Sequence, residues 1–316
     1  MSIDNSFKLF VNRFGLVWKV LLFQLICAVI ISGIALALCY TLIENLVNSG
    51  FFDRISEFFV ANVLNIRLDY LMSNISIIIS EFFEIISLDL ANLLPLVIVL
   101  LVIVIILGAF MFALTDTPLT ECVYGYMGSC AKFGFTGCFI SNIGRSVKLS
   151  LCKMITVLPL DLLIMAGFVY SFNILALGGI FNYIGPFIVL MVLALLLSLR
   201  YAFFCCWAPA IVVKNQGIWK GLKDNFKSIF NNFKTVWLSQ LATIVILLVI
   251  NIGVFILTAG IGCIFTIPAS VVYSSIVNNV LYFQLNGLRY YIDKENIFSP
   301  KKIDEQEKLN TIKFII

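Results

Sequence analysis

Six apolar runs constrain this chain more than anything else in it. They lie at about 17–42, 93–115, 151–176, 186–210, 236–258 and 261–285. Each matches the ~20 helical residues that a bilayer's hydrocarbon core requires. A backbone in hydrocarbon must satisfy its own N–H and C=O groups, and a helix does so within one segment. The fold class expected is therefore all-α: a polytopic membrane helix bundle of six transmembrane helices plus interfacial amphipathic helices. Composition agrees, with 61% apolar and 12% charged residues, against about 45–50% and about 25% in soluble domains. The domain organisation expected is one membrane domain over 1–290 and a cytoplasmic tail over 291–316.

Orientation follows from the basic residues, which accumulate on the cytoplasmic side. Of the 21 Lys and Arg, 18 fall before residue 20 or within 116–153, 211–235 and 286–316. Arg54 and Arg67 lie on the other side, and Arg200 lies inside a run. The alternation holds across six spans and puts both termini in the cytoplasm. Lys8, Arg13 and Lys19 lead into an apolar run too long for a signal-peptide core, so no cleavable signal is expected.

The long outer connection, 43–92, carries Glu44, Asp53, Glu57, Asp69, Glu81, Glu84 and Asp89. Phe51, Phe52, Ile55, Phe58, Phe59 and Leu64 recur at roughly helical spacing, as do Ile75, Ile78, Ile79, Phe82, Phe83 and Ile86. Two amphipathic helices are expected there, packing the spans together rather than closing a lid. The inner connection 211–235 projects Ile218, Trp219, Leu222, Phe226, Ile229, Phe230 and Phe233 onto one side of a helix. Lys220, Lys223, Lys227 and Lys234 fall beside them. Such a helix suits an anionic leaflet, because lysine stems lie along apolar surface while their ammonium groups reach phosphates. The candidate lipid-binding residues are Lys220, Lys223, Lys227, Lys234 and Trp219. A solvated basic face on a helix running into the fifth span is the alternative.

Two lead-ins resemble each other. Phe7-Lys8-Leu9-Phe10-Val11-Asn12-Arg13-Phe14-Gly15-Leu16-Val17-Trp18 matches Phe226-Lys227-Ser228-Ile229-Phe230-Asn231-Asn232-Phe233-Lys234-Thr235-Val236-Trp237 at Phe, Lys, Asn, Phe, Val and Trp. Asn142 to Met154 has similar character with weak identity. The unit implied is a basic amphipathic lead-in, a span out and a span back, used up to three times. Chance likeness between two lead-ins under one constraint also accounts for the match.

Asp161 and Arg200 are the ionisable residues deep in spans. Each is about ten residues from the cytoplasmic end of its span, so their depths match at about 1.5 Å per residue. A short uncharged turn makes spans three and four antiparallel neighbours. A lone charge there is costly, so the two are expected to pair, fixing helix register or forming a substrate or proton site. Gln24, Gln240, Asn251, Ser274, Ser275, Asn278, Asn279 and Gln284 are expected to hydrogen-bond between helices. Pro159 and Pro268 are expected to kink or break their helices, while Pro186 and Pro209 sit beside spans.

Catalysis finds little support. The chain has no histidine, which removes the commonest general base and metal ligand. The nine cysteines are expected to be free thiols rather than a disulfide framework. Cys122, Cys130, Cys138 and Cys152 lack the close pairing of a zinc site. Gly125-Tyr126-Met127-Gly128 and Gly178-Gly179 lack the lysine of a nucleotide loop. No enzyme activity, metal, cofactor or nucleic-acid partner is expected. The partners expected are membrane lipids, anionic ones first, and a protein subunit.

One cassette resembles a known group. It runs from Arg200 through Trp207-Ala208-Pro209-Ala210-Ile211 and Gly221-Leu222-Lys223-Asp224-Asn225 to Trp237-Leu238. It is similar to the six-helix membrane domain fused to some bacterial glycerophosphodiester phosphodiesterases, and to its stand-alone relatives. The resemblance implies a bacterial inner-membrane protein concerned with lipids or membrane upkeep. The catalytic domain of the fused enzymes has no counterpart, so their hydrolase activity does not carry over, and no site residue does either. Non-enzymatic support of lipid or envelope homeostasis, or scaffolding, is the role expected. A transporter or permease subunit with a separate energy-coupling partner comes next, and an intramembrane enzyme last.

Overall fold

The computed structural model describes residues 2–64, 77–78, 80–85, 87, 90–175, 181–258 and 260–299. Ile75, Ile79 and Ile86 of the outer stripe, Arg67, Asp69, Asp89, Gly178-Gly179 and the tail from 300 onward lie outside these residues.

Thirteen helices follow one another among the described residues: α1 (Ser2–Asn12), α2 (Gly15–Leu38), α3 (Tyr40–Asn48), α4 (Phe51–Leu64), α5 (Leu90–Ala113), α6 (Asp116–Ser129), α7 (Phe135–Thr156), α8 (Leu158–Leu175), α9 (Phe181–Phe204), α10 (Trp207–Val213), α11 (Ile218–Phe230), α12 (Phe233–Thr258) and α13 (Cys263–Leu285). The chain is an all-α multi-pass membrane protein. Five of its helical stretches are long and apolar enough to cross a membrane alone. A sixth arises when the bent pair α7–α8 counts as one span.

Three short turns along the spans lie just upstream of prolines, and the one at Val157 is the sharp bend. A proline has no N–H, and its ring clashes with the carbonyl four residues earlier. Pro118 is the third residue of α6, and the break before it is at Leu114-Thr115. Pro209 is the third residue of α10, and the break before it is at Cys205-Cys206. Pro159 is the second residue of α8, where a missing N–H costs nothing. The chain bends there by 46° at Val157. The apolar run expected as the third span therefore straddles this bend, with its first residues in α7 and the rest in α8. Pro268 does not break its helix, because α13 runs through it.

The breaks give the chain a repeated form. α1, a two-residue break at Arg13-Phe14 and the span α2 correspond to α11, a break at Asn231-Asn232 and the span α12. The intermediate case is α7, the break at Val157 and α8.

The chain divides into two compact units. One comprises Met1–Val20, Phe112–Leu248 and Ala269–Ile316. In it α6 packs on α7 and α10, α8 on α9, and α10 on α11. Its tail is not a plain extension. Tyr290-Tyr291 pairs antiparallel with Ile297-Phe298 in a short hairpin. Asp293 Oδ1 accepts the backbone N–H groups of Glu295 and Asn296 and closes its turn. Tyr290 is buried and stacks on Phe298 at 4.9 Å. Its hydroxyl accepts bonds from Asn5 of α1 (2.8 Å) and Gln284 of α13 (3.0 Å).

The other unit comprises Leu21–Met111 and Val249–Pro268. Its core holds Cys39, Leu42, Leu46, Phe51 and Leu93, with Ile55, Ile78, Phe82 and Ile85 packed against them. Part of these apolar faces therefore packs with the start of α5, while Phe52 and Phe83 stay exposed. Gly260 turns the chain between α12 and α13 at φ +90°, a conformation that suits glycine.

Candidate functional site

Asp161 and Arg200 meet. Arg200 Nε donates to Asp161 Oδ1 and Nη2 to Oδ2, both at 2.7 Å. This is the bidentate fork that only a guanidinium makes with a carboxylate. The Arg200 guanidinium also lies 4.4 Å from the centroid of the Tyr201 ring. The helix ends explain why the charges sit here. Asp161 is in the first turn of α8, where the dipole favours an anion, and Arg200 lies near the last turn of α9, where it favours a cation.

A second pair follows the same rule. Asp116 opens α6, Lys153 closes α7, and the two form a salt bridge. Asp116 is also near enough for its charge to act on Arg200. Two acids and two bases thus lie at three helix junctions, with no net charge; both acids and Lys153 sit in the end turn that suits their sign, and Arg200 lies just before the last turn of α9. The sequence reading named only Asp161 and Arg200 of these four.

Next to this cluster the resembling cassette folds on itself. Trp207 is fully buried with Leu149, Val157, Ala208 and Ile211, against Phe204, Ile218 and Leu222. Its indole N–H donates to the Ile218 carbonyl at 3.0 Å. Asn225 Nδ2 donates to the Phe203 carbonyl at 2.8 Å. Phe203 is among the last residues of α9, whose carbonyls have no partner within the helix, so Asn225 caps it from outside. A Cβ on Gly221 would sit 2.5 Å from Ile211 Cγ1, so only glycine lets α11 approach α10 so closely. Asp224 accepts bonds from Lys214 (2.8 Å) and Gln216 (3.0 Å). The Lys214 ammonium and the Gln216 amide hold the Asp224 carboxyl below its ordinary range, and Asp224 holds Lys214 above its own.

These contacts correct the helical projection. Its apolar side does not face one way. Ile218, Leu222 and Ile229 turn into the protein, together with Gly221 and Asn225. Trp219 and Phe230 stay outside, each 65% exposed. Lys220, Lys223 and Lys227 are exposed alongside them. Phe233 and Lys234 belong to α12, not α11: Phe233 stacks on Trp237, and Lys234 is exposed in the first turn of the span. The outward face of α11 is thus two large aromatics and three lysines within an arc of roughly 100° at 100° per residue.

Other polar candidates join helices. Gln240 donates to Asn278 at 2.9 Å and Thr266 to Asn251 at 2.7 Å, both between α12 and α13, whereas Asn279 donates to the Ser275 carbonyl of its own helix at 2.8 Å. All nine cysteines are free thiols. Cys122 of α6 and Cys138 of α7 are both buried. No family model matches this chain, and comparison with curated proteins and with solved structures finds no match either.

Proposed function

We propose that this is a six-span protein of a bacterial cytoplasmic membrane with both termini in the cytoplasm. In this reading it engages anionic phospholipid of the inner leaflet through the outward face of α11. It supports lipid or envelope homeostasis, or scaffolds partners, without catalysing a reaction. The observation that carries the reading is the division of α11 into two faces. One face is fixed to the protein through Gly221, Leu222, Asn225 and Ile229. The other presents Trp219, Lys220, Lys223, Lys227 and Phe230 outward. A helix held in this way presents its lysines already ordered, so little conformational entropy is lost on binding. A tryptophan beside lysines suits the headgroup level, where one side of the ring is wet and the other apolar. The likeness to membrane domains fused to glycerophosphodiester phosphodiesterases supports a lipid connection.

The test is retention of phosphatidylglycerol over phosphatidylcholine by the full chain in mixed micelles, read by native mass spectrometry. Replacing Lys220, Lys223 and Lys227 with Gln should reduce that preference by about five-fold per lysine, from about 1 kcal/mol for each basic residue at an anionic surface. An unchanged preference in the folded variant refutes the reading.

A transporter or permease subunit is the second reading, supported by a bent span beside a partly buried ion pair. The closed bidentate geometry of Asp161 and Arg200, with neither charge left over, favours a register clamp instead. A folded Asp161→Asn variant that loses transport in membrane vesicles would reverse that preference.

A further inference from the structure

The outward face of α11 has two counterparts. On α1 and the start of α2, Phe7, Val11, Phe14 and Trp18 are all 47–58% exposed, at spacings of four, three and four. Lys8 and Lys19 are exposed beside them. On α7, Ile140, Ile143, Leu151 and Ile155 are exposed, with Arg145 and Lys148 beside them. On each helix the opposite face is fixed to protein. Leu9, Asn5 and Ser6 of α1 are buried, and so are Cys138, Asn142, Ser146 and Leu149 of α7.

The arrangement has a common hand. At 100° per residue, Lys8 lies about 100° onward from Phe7, Lys148 about 80° onward from Ile140, and Lys227 about 80° onward from Trp219. The basic flank is therefore on the same rotational side of the apolar stripe three times over. Asp4 is the one acidic residue exposed on α1, α7 or α11 among the described residues, and it is paired with Lys8 at 3.4 Å.

The three helices also belong to one compact unit. Each precedes a break and then an outgoing apolar helix, and polar contacts link them in series. Arg13, at the first break, donates to the Phe133 carbonyl just before α7. Arg145 of α7 donates to Asn215 just before α11. A protein core on one side and a uniformly basic, apolar-striped surface on the other leave an anionic lipid surface as the chemically matched occupant.

We infer that α1, α7 and α11 together form a three-part collar that lies on an anionic leaflet and gathers phosphodiester headgroups around the bundle. The inference rests on the lipid reading given for α11 and extends it to two further helices that carry their own lysines. The contribution of α1 and α7 is separable from that of α11, because different residues supply it.

The experiment starts from the full chain with Lys220, Lys223 and Lys227 replaced by Gln, in micelles of phosphatidylglycerol and phosphatidylcholine. A residual preference for phosphatidylglycerol should remain. It should fall by about five-fold or more when Lys8→Gln, Lys19→Gln and Lys148→Gln are added, and it should be kept by the corresponding Arg variants. Residual preference that is absent in the starting variant overturns the collar while leaving α11 as a lipid site. Residual preference that survives all six substitutions overturns it as well. An unsubstituted chain with no preference at all overturns the lipid reading itself. A measurement free of any substitution backs this up: lipid retention by the unsubstituted chain should fall steeply between 0.1 M and 1 M salt, as surface electrostatics do. Retention that is indifferent to salt refutes a collar built on lysines.

Discussion

Removing Asp161 and Arg200 together should destabilise the protein no more than removing either one alone. Deleting one partner of a buried ion pair costs about 3–5 kcal/mol, chiefly because the other charge is stranded. The side chains here are 36% and 20% exposed, so about 2–3 kcal/mol is the better expectation for Asp161→Asn or Arg200→Gln. The double variant Asp161→Asn/Arg200→Gln strands no charge and should lie close to either single one. That implies a coupling of about 2 kcal/mol in a double-mutant cycle. The helix ends allow a stricter test. The swap Asp161→Arg/Arg200→Asp keeps the attraction but puts a cation at the start of α8 and an anion near the end of α9. Each helix-end term is about 0.3–1 kcal/mol and changes sign, so the swapped protein should fall about 1–4 kcal/mol short of the original. Reversible unfolding in detergent with rising SDS, followed by far-ultraviolet circular dichroism, measures all of these. Single substitutions that add within about 0.5 kcal/mol would show that the two charges act independently and refute the clamp. A swap as stable as the original would refute the helix-end argument alone.

Gly221→Ala should destabilise by about 1–3 kcal/mol through overpacking against Ile211. Helix propensity alone predicts a gain of up to about 1 kcal/mol, so the sign of the shift in the unfolding midpoint decides between them. Tyr290→Phe strands the Asn5 and Gln284 amides, at a cost of about 1–3 kcal/mol. It should loosen α1, read as faster proteolysis near residue 12 with the spans intact. The Lys214–Asp224 pair should give a small acid limb. The folded carboxyl is depressed, so its stabilisation is complete above the ordinary Asp value and fades as pH falls through the lowered one. Lys214 is 44% exposed, which limits the effect to about 1 kcal/mol at most. Asp224→Asn should remove that limb from the pH dependence of unfolding.

The spans were legible because hydrophobic length is a direct consequence of bilayer thickness. The meeting of Asp161 with Arg200 was legible because equal depth on adjacent antiparallel helices leaves few other partners. The breaks were harder to see. An apolar run looks the same whether one helix or two carry it, and the clue is a proline acting four residues upstream of itself. Pro118 and Pro209 mark the breaks at Leu114-Thr115 and Cys205-Cys206, although each lies at or beyond the edge of the apolar run it divides. Pro268 shows why the rule is not sufficient, since the helix continues through it. The terminal hairpin was also missed. Strands of two residues are too short to show a period, and the local signal is the Asp293 side chain closing the turn through Asn296.

The breaks, once placed, account for features that otherwise look unrelated. A helix that ends inside a membrane protein exposes carbonyls, and one that begins there exposes N–H groups. Asn225 answers the first need at the end of α9. Asp116 and Asp161 sit where the second arises. Lys153 and Arg200 then balance these acids, each near a helix C-terminus that favours it. Charge inside this bundle is thus a consequence of interrupting its helices, and interrupting them turns amphipathic segments aside from the spans. A mixed face fixed inward leaves lysines and large apolar side chains outward. The ion pair and the basic surface are two results of the same chain breaks, which is why a mutation at Pro118, Pro159 or Pro209 should disturb both at once.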